Sequence, residues 1–179
     1  DDDDDDTNVT TTKVPKKRIP KILKNKWNTS DHFCNQNENS CVTKLSIIIP
    51  NYNYGTYLEH TLRSIIEQNY SNVELIVIDG GSSDNSVEVI KKYEEHISYW
   101  CSETDTGQTT AINKGLKIAT GDYITWLNSD DMMVPGSLFQ ILKATTDSPD
   151  LIVGGVLEFN SHGIIMYNRP MRENISFNF

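Results

Sequence analysis

The chain has 179 residues, 37 % of them hydrophobic and 23 % charged, which leaves room for one ordinary domain. Six of the nine net negative charges come from the opening Asp run, and the remaining −3 argues against a general nucleic-acid surface, which would be basic. No apolar run approaches the roughly 20 residues that cross a bilayer, and three cysteines without metal-ligand spacing make neither a disulfide framework nor a zinc site.

Residues 1–43 hold the acidic hexamer, a Thr-rich patch and a basic stretch around Lys16, Lys17, Arg18, Lys21, Lys24 and Lys26. They lack hydrophobic periodicity and read as a low-complexity tail or linker. Cys34 and Cys41 are near enough in sequence to pair, but nothing requires it. Asn8 and Asn28 open formal glycosylation sequons. The first residue is Asp rather than Met, so the chain reads as an excerpt of a longer protein. The expected setting is a soluble, cytoplasmic domain; the sequence does not give the oligomeric state.

Residues 44–179 read as the globular domain. The run Lys44-Leu-Ser-Ile-Ile-Ile-Pro50 is nearly all apolar, as in a strand covered on both faces. Pro50 is expected to end it, and Asn51 to Gly55 form a turn. Leu58, Leu62, Ile65 and Ile66 then repeat at helical spacing over residues 57–68. A second buried strand, residues 73–79, ends in Asp79. The loop Gly80-Gly-Ser-Ser-Asp-Asn-Ser86 supplies an N-cap for a helix over about 84–95. Residues 97–102 make strand three, with Cys101 as a small buried hydrophobe. Residues 108–119 make helix three, with Ala111, Ile112, Leu116 and Ala119 facing the core. Strand four, residues 123–127, runs into Asn128-Ser-Asp-Asp131. A fourth helix spans 135–145, with Pro135 near its first turn. Residues 151–159 and 163–167 read as a strand pair. Trp100 and Trp126 read as core aromatics, His60 as solvated, and His96 and His162 as turn residues. Met132 and Met133 either flank a ligand or fill gaps in the core.

The order βαβαβαβαββ predicts an α/β fold: a mostly parallel sheet with helices on both faces and right-handed crossovers. Ligands bind such sheets outside the carboxyl ends of the strands. Asn51 and Tyr52, Asp79 to Ser83, Asp105, and Asn128 to Asp131 would all collect there. Two adjacent carboxylates repel, and a hard divalent cation with oxygen ligands offsets that charge. A nucleotide suits this rim. Asp79 can accept hydrogen bonds from a base or ribose, Gly80 and Gly81 allow close approach, and a metal at Asp130 and Asp131 would neutralise a diphosphate. A dinucleotide fingerprint after strand one is absent, as are a P-loop and a nucleophile elbow.

Four blocks, Ser46-Ile-Ile-Ile-Pro-Asn-Tyr-Asn53, Glu74-Leu-Ile-Val-Ile-Asp-Gly-Gly-Ser-Ser-Asp84, Asp105-Thr-Gly-Gln108 with Ala111-Ile-Asn-Lys-Gly115, and Gly121-Asp-Tyr-Ile-Thr-Trp-Leu-Asn-Ser-Asp-Asp131, resemble family 2 glycosyltransferases in order and spacing over roughly residues 44–156. The resemblance implies the GT-A fold, here its donor-binding half. It implies a nucleoside-diphosphate-sugar donor, UDP-sugar foremost, and a divalent Mn or Mg ion. The reaction it implies is inverting transfer of a sugar to a hydroxyl of a glycan, protein or lipid acceptor. It would place Pro50, Asn51 and Tyr52 at the base, Asp79 at the base or ribose, and Asp105, Asn113 and Lys114 around the donor. Ser129-Asp130-Asp131 would be the Asp-x-Asp equivalent, with Asp130 toward the ribose or sugar and Asp131 on the metal.

Two departures stand out. Many members carry a second acid where this chain has Gly80. No acceptor-half carboxylate is recognisable as a general base either, since Glu158 and Glu173 match no motif. The alternatives are a sugar-nucleotide-binding module without turnover, or an inactive fragment. A nucleotidyltransferase fits less well, because residues 51–55 carry no basic side chain.

Overall fold

The computed structural model describes residues 43–156, 158–160 and 163–165. The tail with its basic stretch, Cys34, Cys41, the sequons at Asn8 and Asn28, Leu157, His162, Tyr167 and Glu173 lie outside the described residues. The chain divides into two compact units, Asp1–Gln140 and Ile141–Phe179.

The first unit is built on β1 (Leu45–Asn51), β2 (Val73–Asp79), β3 (Tyr99–Ser102) and β4 (Tyr123–Trp126), joined by α1 (Gly55–Ile66), α2 (Ser86–Lys92) and α3 (Gln108–Ile118). The four strands form one parallel sheet in the order β3-β2-β1-β4. Right-handed crossovers carry the chain from β1 out to β3, and the return to β4 then forces α3 onto the other face. Alternation along the strands assigns the two layers. Ile48, Ile76, Ile78 and Cys101 pack with Ala111 of α3. Ile47, Ile49, Leu75 and Val77 point the other way and are buried, as are Leu58, Leu62 and Ile65 of α1 and Val89 and Ile90 of α2. Each such fully buried aliphatic contributes on the order of 2 kcal/mol.

β1 runs through Pro50 rather than stopping there. Ile48 turns its carbonyl toward β4, accepting from Leu127 N at 2.9 Å, and Pro50 shares that orientation. β4 pairs only as far as Ile48–Trp126, so the N–H that Pro50 lacks falls beyond the ladder. The second helix is shorter than expected: α2 ends at Lys92, and a 3-10 turn, Glu94–His96, fills the rest.

Two expected core residues are exposed. Trp126 is 57 % exposed and Leu116 46 %. β4 is an edge strand of the sheet, and α3 packs over β1 and β2, so Trp126, in register with Ile48, lies beside that layer and not beneath it. Trp100 and Cys101 are buried as expected.

Helix α4 (Ser137–Ala144) opens in the first unit, where Leu138 is fully buried and Leu138 N donates to Gln68 Oε1 at 3.0 Å. In the second unit β5 (Glu158–Asn160) pairs antiparallel with β6 (Gly163–Ile165). The strand expected from Leu151 starts later, since residues 151–156 have no regular structure. The adjacent Gly154 and Gly155 weaken strand propensity there.

Candidate functional site

Parallel pairing brings the carboxyl ends of all four strands to one edge. The sheet changes direction between β1 and β4, and β1 ends there in Asn51. Asn51 and Asp79 are register partners and are almost wholly buried. Asp79 Oδ1 accepts from Asn51 Nδ2 at 2.7 Å and from Ser82 Oγ at 2.5 Å. Its Oδ2 accepts from Ser82 N at 2.9 Å and Ser102 Oγ at 2.6 Å. Such donors satisfy the polar oxygens of a buried carboxyl. Asp79 therefore ties the ends of β1, β2 and β3 together. Asn51 Oδ1, in contrast, is buried and has no hydrogen-bond partner among the described residues.

The β1 and β2 loops are also laced to each other. Asn53, in the left-handed region at φ 55°, donates its N–H to Ser82 Oγ at 2.8 Å and accepts from Ser83 N at 2.8 Å. Asp84 accepts from Gly55 N at 2.9 Å and from Ser86 N at 2.9 Å, serving the starts of both α1 and α2. Although partial burial opposes it, the Ser86 hydroxyl and these backbone donors hold the Asp84 carboxyl below its ordinary value.

Gly81 adopts φ 80° against Thr104, a backbone state that disfavours side chains. Beside it, a Cβ on Gly80 would come within 3.1 Å of Asp105 Oδ1. Any side chain at position 80 would therefore crowd the Asp105 carboxyl. Asp105 in turn accepts from Gly107 N at 2.8 Å, shaping the turn into α3.

The acidic turn after β4 rests on α1. Thr61 Oγ1, fully buried, lies 2.8 Å from the Ser129 carbonyl and 2.7 Å from the Asp131 carbonyl, and shares its proton between them. Ser64 Oγ accepts from Met133 N at 3.0 Å. Asp131 N donates to Asn128 O at 3.1 Å, and Asp131 Oδ2 accepts from Asn128 Nδ2 at 3.0 Å. Asn128 Oδ1 accepts from Gln108 Nε2 at 2.6 Å. Ser129 is buried, whereas Asp130 and Asp131 are exposed. Among the described residues, no group of three or more His, Cys, Asp or Glu side chains could hold a metal unaided. Two adjacent exposed carboxylates do fit Mg or Mn, which commonly take one or two protein carboxylates and complete their shell with phosphate and water.

The remaining expected site residues are more scattered. Tyr52 stands 61 % exposed on the rim, and Pro50 is buried inside β1. Asn113 is exposed on α3. Lys114 pairs with Glu103 at 2.8 Å, and this hydrogen bond raises the pKa of its ammonium. Sequence reading placed Ser82 on the rim and Gln108 in a motif block without giving either a partner, and it passed over Ser102, Thr61 and Ser64. The clearest available signal was Thr61 and Ser64, two small hydroxyls three apart on an otherwise apolar helix face.

The chain matches the sequence profile described as "Glycosyl transferase family 2" over residues 46–178. It is 33 % identical over 129 residues to Glycosyltransferase GlyA of Streptococcus pneumoniae serotype 4, covering 70 % of this chain and 18 % of that protein. The structure resembles TarS 1-349 of S. aureus, solved in complex with UDP-GlcNAc, with a TM-score of 0.54 and 25 % identity over 58 % of this chain and 31 % of that one. It also shares its fold with the mannosyltransferase PcManGT of Pyrobaculum calidifontis, at a TM-score of 0.55 and 24 % identity over 59 % of this chain and 33 % of that one. The chain spans well under half the length of the curated relatives it matches.

Proposed function

Because the chain belongs to glycosyl transferase family 2 and has the GT-A fold, we propose that it binds a UDP-sugar through a divalent cation and serves its transfer, with inversion, to an acceptor hydroxyl. The observation that carries this reading is the rim itself. One buried carboxylate knots three strand ends together, and on the same edge of the sheet two exposed carboxylates sit on a turn fastened to α1 and α3. The UDP-GlcNAc complex of the TarS relative supports a uridine donor.

In this reading Tyr52 offers its ring to the base, and Asn51 turns Oδ1, which has no partner among the described residues, to a base or ribose donor. Asp79 fixes the Asn51 amide and the Ser82 loop so that both keep their orientation. Asp131 and Asp130 would hold the cation, with Asp130 nearer the ribose or sugar. When bound, the cation offsets diphosphate charge and so makes the nucleoside diphosphate a better leaving group. Inverting transfer also needs a base to deprotonate the acceptor hydroxyl in line with the departing diphosphate. Asp105, Lys114 and Asn113 border the donor side and are not assigned that role.

Calorimetry of UDP-GlcNAc binding, with Mn(II) and with EDTA, tests the proposal. Binding should strengthen with Mn(II), and Asp131→Ala should remove that gain by about 100-fold or more, beyond the range seen for outer-shell changes. Unchanged affinity in a folded Asp131→Ala variant would overturn the assignment. Metal-dependent binding without sugar release to any offered acceptor would favour a non-catalytic module.

A further inference from the structure

We infer that Gln108 is a positioning residue which acts through Asn128 to aim the Asp131 carboxylate, an inference that rests on the metal role proposed for Asp131. The argument begins with the donor and acceptor chemistry of one amide. A carboxylate only accepts, so Asn128 must turn its NH2 end toward Asp131 Oδ2, at 3.0 Å. Its carbonyl end then faces away and requires a donor. Gln108 Nε2 supplies one at 2.6 Å. Direction is thus set along the whole relay: Gln108 donates to Asn128, and Asn128 donates to Asp131.

Asp131 is held at two further points by the same surroundings. Its N–H is bonded to the Asn128 carbonyl, and its own carbonyl accepts from Thr61 Oγ1. Oδ1 accepts no hydrogen bond from the described residues and is the oxygen left to coordinate. Gln108 and Asp131 are exposed on the rim and Asn128 is half-buried between them, a setting where an untethered side chain would sample several rotamers. Holding a ligand oxygen in place before the cation arrives removes that ordering cost from binding. Gln108 is also the first residue of α3, directly after the Asp105–Gly107 turn. The relay therefore joins the β3 loop to the acidic turn.

The test is a double-mutant cycle on this chain, with UDP affinity measured by calorimetry in EDTA and across a Mn(II) series. Gln108→Met keeps the length and removes the donor. It should raise the Mn(II) concentration that half-saturates the gain in UDP binding by about 3- to 10-fold, and Asn128→Ala by about 10-fold, the lower end for outer-shell partners. The double variant should match Asn128→Ala alone, because both changes cut one path. UDP affinity in EDTA should stay within about twofold throughout, which a general loss of structure would not allow. An unshifted Mn(II) midpoint for Gln108→Met, or effects that multiply in the double variant, would overturn the relay. Asp131→Asn separates the two levels. If it abolishes the Mn(II) gain while Gln108→Met leaves it intact, the relay alone fails. If Asp131→Asn leaves the gain intact, the metal reading fails and takes the relay with it.

Discussion

The two ends of the parallel sheet carry acids in opposite ways. At the amino end Glu74 is closed in. It accepts from Lys44 Nζ at 2.5 Å, Ser46 Oγ at 2.7 Å, Thr120 N at 2.6 Å and Thr120 Oγ1 at 2.7 Å, and Ser46 Oγ accepts in turn from Gly121 N at 2.8 Å. Burial works against its charge, yet these donors outweigh burial and bring its pKa to about 2. At the carboxyl end Asp130 and Asp131 face outward, and the one donor the described side chains direct at them is the Asn128 amide. A carboxylate whose valences are filled stabilises the fold; one held in place yet left partly unfilled is available to a ligand. Asp79, at the carboxyl end, has both oxygens taken by hydrogen bonds, as Glu74 does, and supports its neighbours.

Charge removal at each end should sharpen this contrast. Glu74→Gln should cost on the order of 2–3 kcal/mol in urea unfolding at pH 7, whereas Asp131→Asn without metal should stay within about 0.5 kcal/mol. Glu74 titrates lower in the folded chain than its ordinary 4.5. Its contribution is therefore complete above pH 4.5 and is lost as pH falls from there toward 2, so the difference between wild type and Glu74→Gln should shrink in that window. Equal losses at both ends would erase the distinction.

Smaller effects refine it. Thr61→Val should cost about 1–2 kcal/mol, because two carbonyls of the acidic turn lose their shared donor. It should also weaken Mn(II)-dependent binding, so a loss of stability alone would mean that α1 supports the fold and not the site. The smallest effect belongs to the exposed Arg63–Glu67 pair on α1, at 2.8 Å. Arg63→Ala should leave the urea midpoint unchanged within error, as surface ion pairs commonly do.

The fold was legible because β1 and β2 are nearly unbroken aliphatic runs, β3 and β4 are rich in aromatic residues, and the helices repeat apolar residues at fixed spacing. The rim was legible as a set of polar strand ends. What escaped depends on neighbours distant in sequence. Trp126 has strand-core chemistry, and only the position of β4 at an edge leaves it exposed. The hydroxyls of Thr61 and Ser64 gain meaning once the turn 69 and 70 residues later settles on them. Asp79 was readable as an acid at a strand end. That its oxygens are taken by Ser82, Ser102 and Asn51 required the three-dimensional register.

The reversal that puts β4 beside β1 also fixes an order of events. During synthesis β1 can pair with β2 as soon as α1 has formed, but the partner for its other edge emerges much later; the tie between Lys44 and Asp122 spans 78 residues. Through that interval a strand that ends up buried along its whole length keeps an open edge, the condition under which strands join the wrong chain. Closing so distant a contact is slow. The strand order that gathers the polar strand ends on one rim thus leaves β1 the last of the paired strands to be closed on both sides.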